Sequence, residues 1–72
     1  MPNNIKSERV RLNISQKELG DMLGVDESTI ARWERDIAPV KAGHLRKLSE
    51  IFHCTTDYII GRSEERTMAV IR

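Results

Sequence analysis

Apolar residues along the chain fall into short blocks with helical spacing, separated by turn-forming residues. Leu19 and Leu23 share one helical face, and Ile30 and Trp33 share another. Leu45, Leu48, Ile51 and Phe52 form a third stripe, and Tyr58, Ile59 and Ile60 a fourth. The polar residues between them mark the boundaries. A first helix is predicted from Asn4 to Leu12, followed by Asn13, a residue that tolerates the left-handed cap conformation. Ser15 and Glu18 form an S-x-x-E capping box that starts the second helix, and Gly24 ends it. Asp26 is placed to cap a third helix. After a loop with Pro39, a fourth helix is predicted from Lys41 to Phe52. Thr55 caps a short last helix that Gly61 closes. Only the final stretch, TMAVIR, could read as a strand.

The expected fold is therefore all-α, a compact bundle of five short helices. Isolated helices below about 12–15 residues are marginal in water, so these must fold cooperatively. With 72 residues, 39% hydrophobic and 32% charged, the chain reads as one small globular domain. Residues 1–61 form the predicted body, and residues 62–72 a C-terminal tail that packs on its own domain or joins a dimer. Cys54 is the only cysteine, so no disulfide staples the chain. A lone thiol, with no membrane-length apolar run and no leader pattern, gives the expectation of a soluble cytoplasmic protein.

The net charge of +1 does not by itself announce a nucleic-acid partner. Its distribution says more. Between Arg32 and Lys47 stand Arg32, Arg35, Lys41, Arg46 and Lys47, against only Glu34 and Asp36. A local basic strip can hold phosphates on a nearly neutral molecule. Arg46 and Lys47 fit a solvated outer helix face equally well.

The stretch SQKELGDMLGVDESTIARWE breaks one helix and restarts another within three residues. Two helices joined through such a turn cross steeply. Leu19, Leu23, Val25, Ile30 and Trp33 then meet inside the angle, and Gly20 falls where a missing side chain permits close approach. The restarted helix is thrown outward, with Glu27, Ser28, Thr29 and Arg32 at or near its start. A helix fits the major groove of B-DNA and can meet base edges there. Residues 5–61, through IKSERVRLNISQKELGDMLGVDESTIARWERD and LRKLSEIFHCTTDYIIG, resemble the lambda-repressor-like, Cro/Xre-type helix-turn-helix domain, with the motif at helices two and three. The family often has alanine where Gly20 stands, and glycine where Asn13, Asp36 and His53 stand. Those three positions are therefore candidates for backbone strain.

The resemblance implies specific roles. Glu27, Ser28 and Arg32 match base-reading positions. Arg32 can give two hydrogen bonds to guanine, or it can serve a phosphate or pair with Glu27 or Asp36. Glu27 can accept from cytosine N4 or simply stabilise the helix start. Gln16 is implied at a phosphate, where the helix N-terminus also favours an anion. Lys17, Thr29, Arg35 and Lys41 are the other phosphate candidates, each with a reading as plain surface. Arg9 and Glu34 match a structural ion pair between helix one and the recognition helix, with Glu8 a possible member of the same network. Trp33 and Cys54 read as core.

No catalytic constellation is visible, so an enzyme is not expected. No cofactor or small-molecule ligand is implied. His44, His53, Cys54 and Asp57 lack recognised metal-ligand spacing, so no metal is expected. The reading is a sequence-specific regulator of double-stranded DNA, most simply a repressor. It would act as a homodimer on a pseudo-palindromic operator. Two surfaces suit dimerisation: the last helix around Tyr58 to Ile60, and the apolar residues Met68 to Ile71. An antitoxin or restriction-controller regulator is the alternative within that class. An interaction module that kept the fold without DNA is the alternative outside it.

Overall fold

Five helices follow one another in the computed structural model, which describes residues 3–37 and 39–66. They are α1 (Ile5–Arg11), α2 (Gln16–Leu23), α3 (Glu27–Arg35), α4 (Ala42–Phe52) and α5 (Thr56–Ile59). No strand occurs among the described residues. Thr67 to Arg72, the strand-like stretch, and Met68 to Ile71, one predicted dimer surface, lie outside them.

The caps explain why the helices begin and end where they do. Ser15 Oγ accepts from Glu18 N at 2.9 Å, and Glu18 Oε1 accepts from Ser15 N at 2.7 Å. Both halves of the capping box are thus formed. Thr55 Oγ1 accepts from Tyr58 N at 3.1 Å and starts α5. Asp26 occupies the N-cap of α3 in extended conformation, but its side chain makes no capping bond. Helix α1 is anchored by residues that periodicity does not single out. Asn3 Oδ1 accepts from Ile5 N at 3.0 Å, while its amide donates to Trp33 O at 3.0 Å. Asn4 donates through its backbone to Ile59 O at 2.9 Å and through its side chain to Tyr58 O at 2.6 Å.

Gly24 and Gly61 turn the chain with φ of 73° and 85°. Asn13 and His53 adopt the same left-handed region, at 60° and 54°. Two of the three positions flagged for strain are therefore strained, His53 more than Asn13 because of its bulk. Asp36 corrects the third: its φ is −150° and ψ 115°, an extended geometry open to any residue.

The core is made from every helix. Ile5, Leu19, Ile30, Leu48, Phe52 and Ile59 are fully buried. Trp33 is 4% exposed and lies against the His44 ring, with centroids 5.0 Å apart, which joins α3 to α4. Leu45 and Ile51 pack on the edge of this core. Cys54 is buried, and desolvation, with Glu8's charge adding to it, pushes its thiol pKa up. It is an inert core residue as expected. Ile59 belongs to the protein's own core, so the face predicted for dimerisation around Tyr58 to Ile60 reduces to half-buried Tyr58 and Ile60.

Beyond α5 the chain turns back over the body. The backbone N–H of Thr55 donates to Arg66 O at 3.0 Å. The Arg66 guanidinium grips Glu8, with Nη2 donating to Oε1 at 2.8 Å and Nε to Oε2 at 2.9 Å. Arg11 Nε also donates to Glu8 Oε1, at 3.0 Å. Both arginines reach the Phe52 carbonyl at the end of α4, at 2.5 and 3.3 Å. Glu8 is 3% exposed. The reading that could draw it into the Arg9–Glu34 network is therefore corrected: it belongs to a separate cluster, paired with Arg66 and Arg11. The Arg66 hydrogen bond holds its carboxyl below the usual carboxylate range, outweighing burial, and Arg11 adds to the effect.

Three outcomes test these assignments. Ser15→Ala is expected to destabilise the fold by about 1 kcal/mol in urea unfolding, through loss of the α2 cap. His53→Gly is expected to stabilise it by about 0.5 kcal/mol, as relief of left-handed strain exceeds the glycine's entropy cost. Glu8's lowered pKa contributes stability above its unfolded value and loses it as pH falls through the folded one. The wild type should therefore exceed Glu8→Gln in stability most at neutral pH, with the gap closing as the pH falls below the usual carboxylate range. A gap that does not change with pH would contradict this role for the carboxylate.

Candidate nucleic-acid interface

The angle between α2 and α3 is set by contact, not only by the turn glycine. A β-carbon at Gly20 would lie 2.6 Å from the Val25 carbonyl oxygen, a backbone atom that cannot swing aside. The Val25 amide meanwhile donates back to Gly20 O at 2.9 Å. Leu19, Leu23 and Ile30 close the inside of the angle. An alanine at this position would force the corner to open slightly. Here glycine lets the turn sit directly on α2.

This corner leaves the start of α3 facing outward. Glu27, Ser28 and Arg32 are all exposed, and Thr29 is half-buried. No ion pair joins Arg32 to Glu27 among the described residues. The three base-reading candidates thus share one accessible polar edge, while Ile30 and Trp33 on the same helix face the core. Arg35 and Lys41 are exposed near the C-terminal end of α3 and the start of α4. Lys17 lies 3.7 Å from Asp21, both side chains 71% exposed. Such a surface pair is weak and screened, so the lysine can be given up to another anion. Arg46 and Lys47 are exposed on α4.

Behind this edge sits a second charge cluster. Arg9 Nε donates to Glu34 Oε2 at 2.6 Å, with the two side chains 13% and 7% exposed. Arg9 Nη1 donates to Ile14 O at 2.9 Å, just before the α2 cap. The structural pair implied for Arg9 and Glu34 is formed. Gln16, a phosphate candidate at the first position of α2, is half-buried, and its Nε2 donates to Glu34 Oε1 at 3.0 Å. Its amide is already seated in the free protein, a partner that sequence reasoning did not identify. Nothing in local spacing signals it, because the two residues lie on different helices.

No group of three or more potential metal-ligating side chains occurs among the described residues. No helix among them is long and apolar enough to cross a membrane. The arrangement offers hydrogen-bond donors and acceptors on a convex helical edge, flanked by cations and backed by a rigid ion pair. Such an arrangement can meet a polar surface that carries anionic groups.

Comparison with known proteins points the same way. The family model for helix-turn-helix proteins matches residues 5–59. The chain is 35% identical over 60 residues to Repressor protein C2 of Salmonella phage P22, an alignment covering 83% of this chain and 28% of that protein. It is 30% identical over 60 residues to the HTH-type transcriptional regulator ImmR of Bacillus subtilis (strain 168), covering 83% of this chain and 47% of that one. The chain thus spans less than half the length of either relative. Among solved structures it is similar to the P22 c2 repressor protein in complex with synthetic operator 9T. The TM-score is 0.74 at 33% identity, covering 83% of this chain and 91% of that one.

The Arg9–Glu34 pair supports the interface from behind. Arg9→Met, which strands the Glu34 carboxylate, is expected to destabilise the fold by about 3 kcal/mol in urea unfolding. Arg9→Met with Glu34→Leu should recover most of that loss, because no orphan charge remains.

Proposed function

Because the chain belongs to the helix-turn-helix family, we propose that it is a sequence-specific regulator of double-stranded DNA, most simply a repressor, which reads the major groove with α3. The observation that carries this reading is the exposed edge of Glu27, Ser28 and Arg32, thrown outward by the tight corner at Gly20 and Gly24. The similar P22 c2 repressor was solved in complex with a synthetic operator, which supports the same use of the fold here. Binding, not catalysis, is the activity the site supports.

The roles divide by chemistry. Arg32 offers the paired donors that guanine O6 and N7 accept. Ser28 serves a base edge or a phosphate, and Glu27 accepts from cytosine N4. Gln16, Lys17, Thr29, Arg35 and Lys41 are the phosphate contacts in this reading. Together they set the docking angle and the salt dependence.

A single such domain binds weakly, since non-specific affinities are about 10⁻⁴–10⁻⁶ M at physiological salt. Two copies on half-sites one helical turn apart gain specificity and affinity together. A homodimer on a pseudo-palindromic operator, acting in the cytoplasm, completes the proposal. Deletion of residues 63–72 would also remove Arg66 from Glu8, so the cleaner test of a tail-mediated dimer ends the chain at Arg66. Sedimentation should then show monomers. An unchanged dimer would exclude residues 67–72 as the dimer surface.

Selection of bound duplexes from a random pool should yield a defined half-site. Arg32→Ala is expected to cost about 1–3 kcal/mol on that site and to relax preference at one position. Arg35→Ala should weaken binding to all duplexes and lower the salt slope by about 0.9. Negligible binding at low salt, with no enrichment, would reject the DNA reading in favour of a protein-interaction module.

A further inference from the structure

We propose that Glu34 is a positioning residue for DNA docking, because its buried carboxylate accepts the Gln16 amide and so fixes which atoms that side chain presents to a phosphate. The inference rests on the DNA reading above and goes beyond it. Glu34 sits behind the interface, with a 7% exposed side chain, and cannot meet DNA itself.

The geometry assigns each oxygen one task. Oε2 is held by Arg9 Nε at 2.6 Å. Oε1 is left to accept from Gln16 Nε2 at 3.0 Å. An ionised carboxylate only accepts, so the Gln16 amide must turn its nitrogen inward. A reversed amide would set its carbonyl oxygen against the carboxylate. The chosen orientation keeps one N–H on Glu34 and leaves the second available, and a donor is what a phosphate oxygen requires.

The hub also orders the surroundings of that side chain. Arg9 bonds the Ile14 carbonyl at 2.9 Å, one residue before the Ser15 cap. Asn3 Nδ2 bonds the Trp33 carbonyl at 3.0 Å, one residue before Glu34. Side chains from α1 and α2 thus converge on one carboxylate of α3. The start of α2 and the end of α3 are held in a single register. The rotamer entropy of a long glutamine side chain is lost on folding, before any DNA arrives, so docking need not supply it.

The test joins two readouts on the full chain. In the free protein, the Gln16 side-chain amide should show slowed hydrogen exchange by NMR. That protection should vanish in Glu34→Gln while the backbone spectrum stays dispersed. In parallel, binding to a mixed-sequence duplex of about two helical turns is measured for Gln16→Ala, Glu34→Gln and the double variant. Gln16→Ala is expected to weaken wild-type binding about fivefold, but the Glu34→Gln background by less than about twofold. Should Glu34→Gln fail to fold, the Arg9→Met with Glu34→Leu background takes its place.

Additive effects of the two substitutions, or an unprotected Gln16 amide in the wild type, would overturn the positioning role while leaving DNA binding intact. A wild-type chain that binds no duplex at all would instead overturn the DNA reading, and the docking role with it, even where the amide stays protected.

Discussion

The molecule depends on one close approach. At the corner between α2 and α3, the Val25 carbonyl lies where a side chain on Gly20 would stand, 2.6 Å from the position of a β-carbon. Backbone resting on backbone fixes the crossing of the two helices more firmly than side-chain packing could, since side chains can change rotamer and carbonyls cannot. Once that angle is set, the apolar side of α3 must face the core, with Ile30 and Trp33 buried. Its polar side has only solvent to face. The exposed edge is a consequence of burial on the other side of the same helix.

Two buried carboxylates then tie this corner to the rest of the chain, and they do so independently. Glu34 gathers Arg9 and Gln16 behind the exposed edge. Glu8, elsewhere on α1, gathers Arg66 and Arg11, which also bond the terminal carbonyl of α4. In a domain with so small a core, such charges are affordable only because each is fully paired. A half-paired carboxylate in either place would cost more than the pair contributes. Pairing across helices also supplies what short helices lack, a directional contact that discriminates one arrangement from others of similar apolar burial.

Much of this was legible in the sequence, and the reasons are local. Ser15 with Glu18, Thr55, Gly24 and Gly61 act within a few residues of themselves, so helix ends could be read directly. The corner was legible because its apolar and small positions lie within one twenty-residue stretch. The Arg9–Glu34 pair was implied by family resemblance, since nothing in local spacing joins residues 25 apart. What stayed hidden is non-local or backbone-determined. Arg66 and Glu8 are 58 residues apart, and Arg66 lies in a stretch with no periodic pattern. Gln16 reads as an exposed helix-start residue until α3 places Glu34 beside it. Asp36 looked strained by analogy with glycine, yet extended backbone accommodates any side chain.

The stitching of α1 to α5 and the segment after it has a bearing on how the molecule opens. Asn4 is bonded to Tyr58 and Ile59, and Glu8 to Arg66, so the first helix and the last segment hold each other. Helix α1 and the segment after α5 therefore open together: releasing one uncovers a charged group belonging to the other. Closing so long a loop is entropically costly, so these contacts return less net stability per bond than the local ones at the α2–α3 corner. None of the residues in this seam belongs to α2 or α3, so the contacts of the α2–α3 corner are not among those lost when it opens.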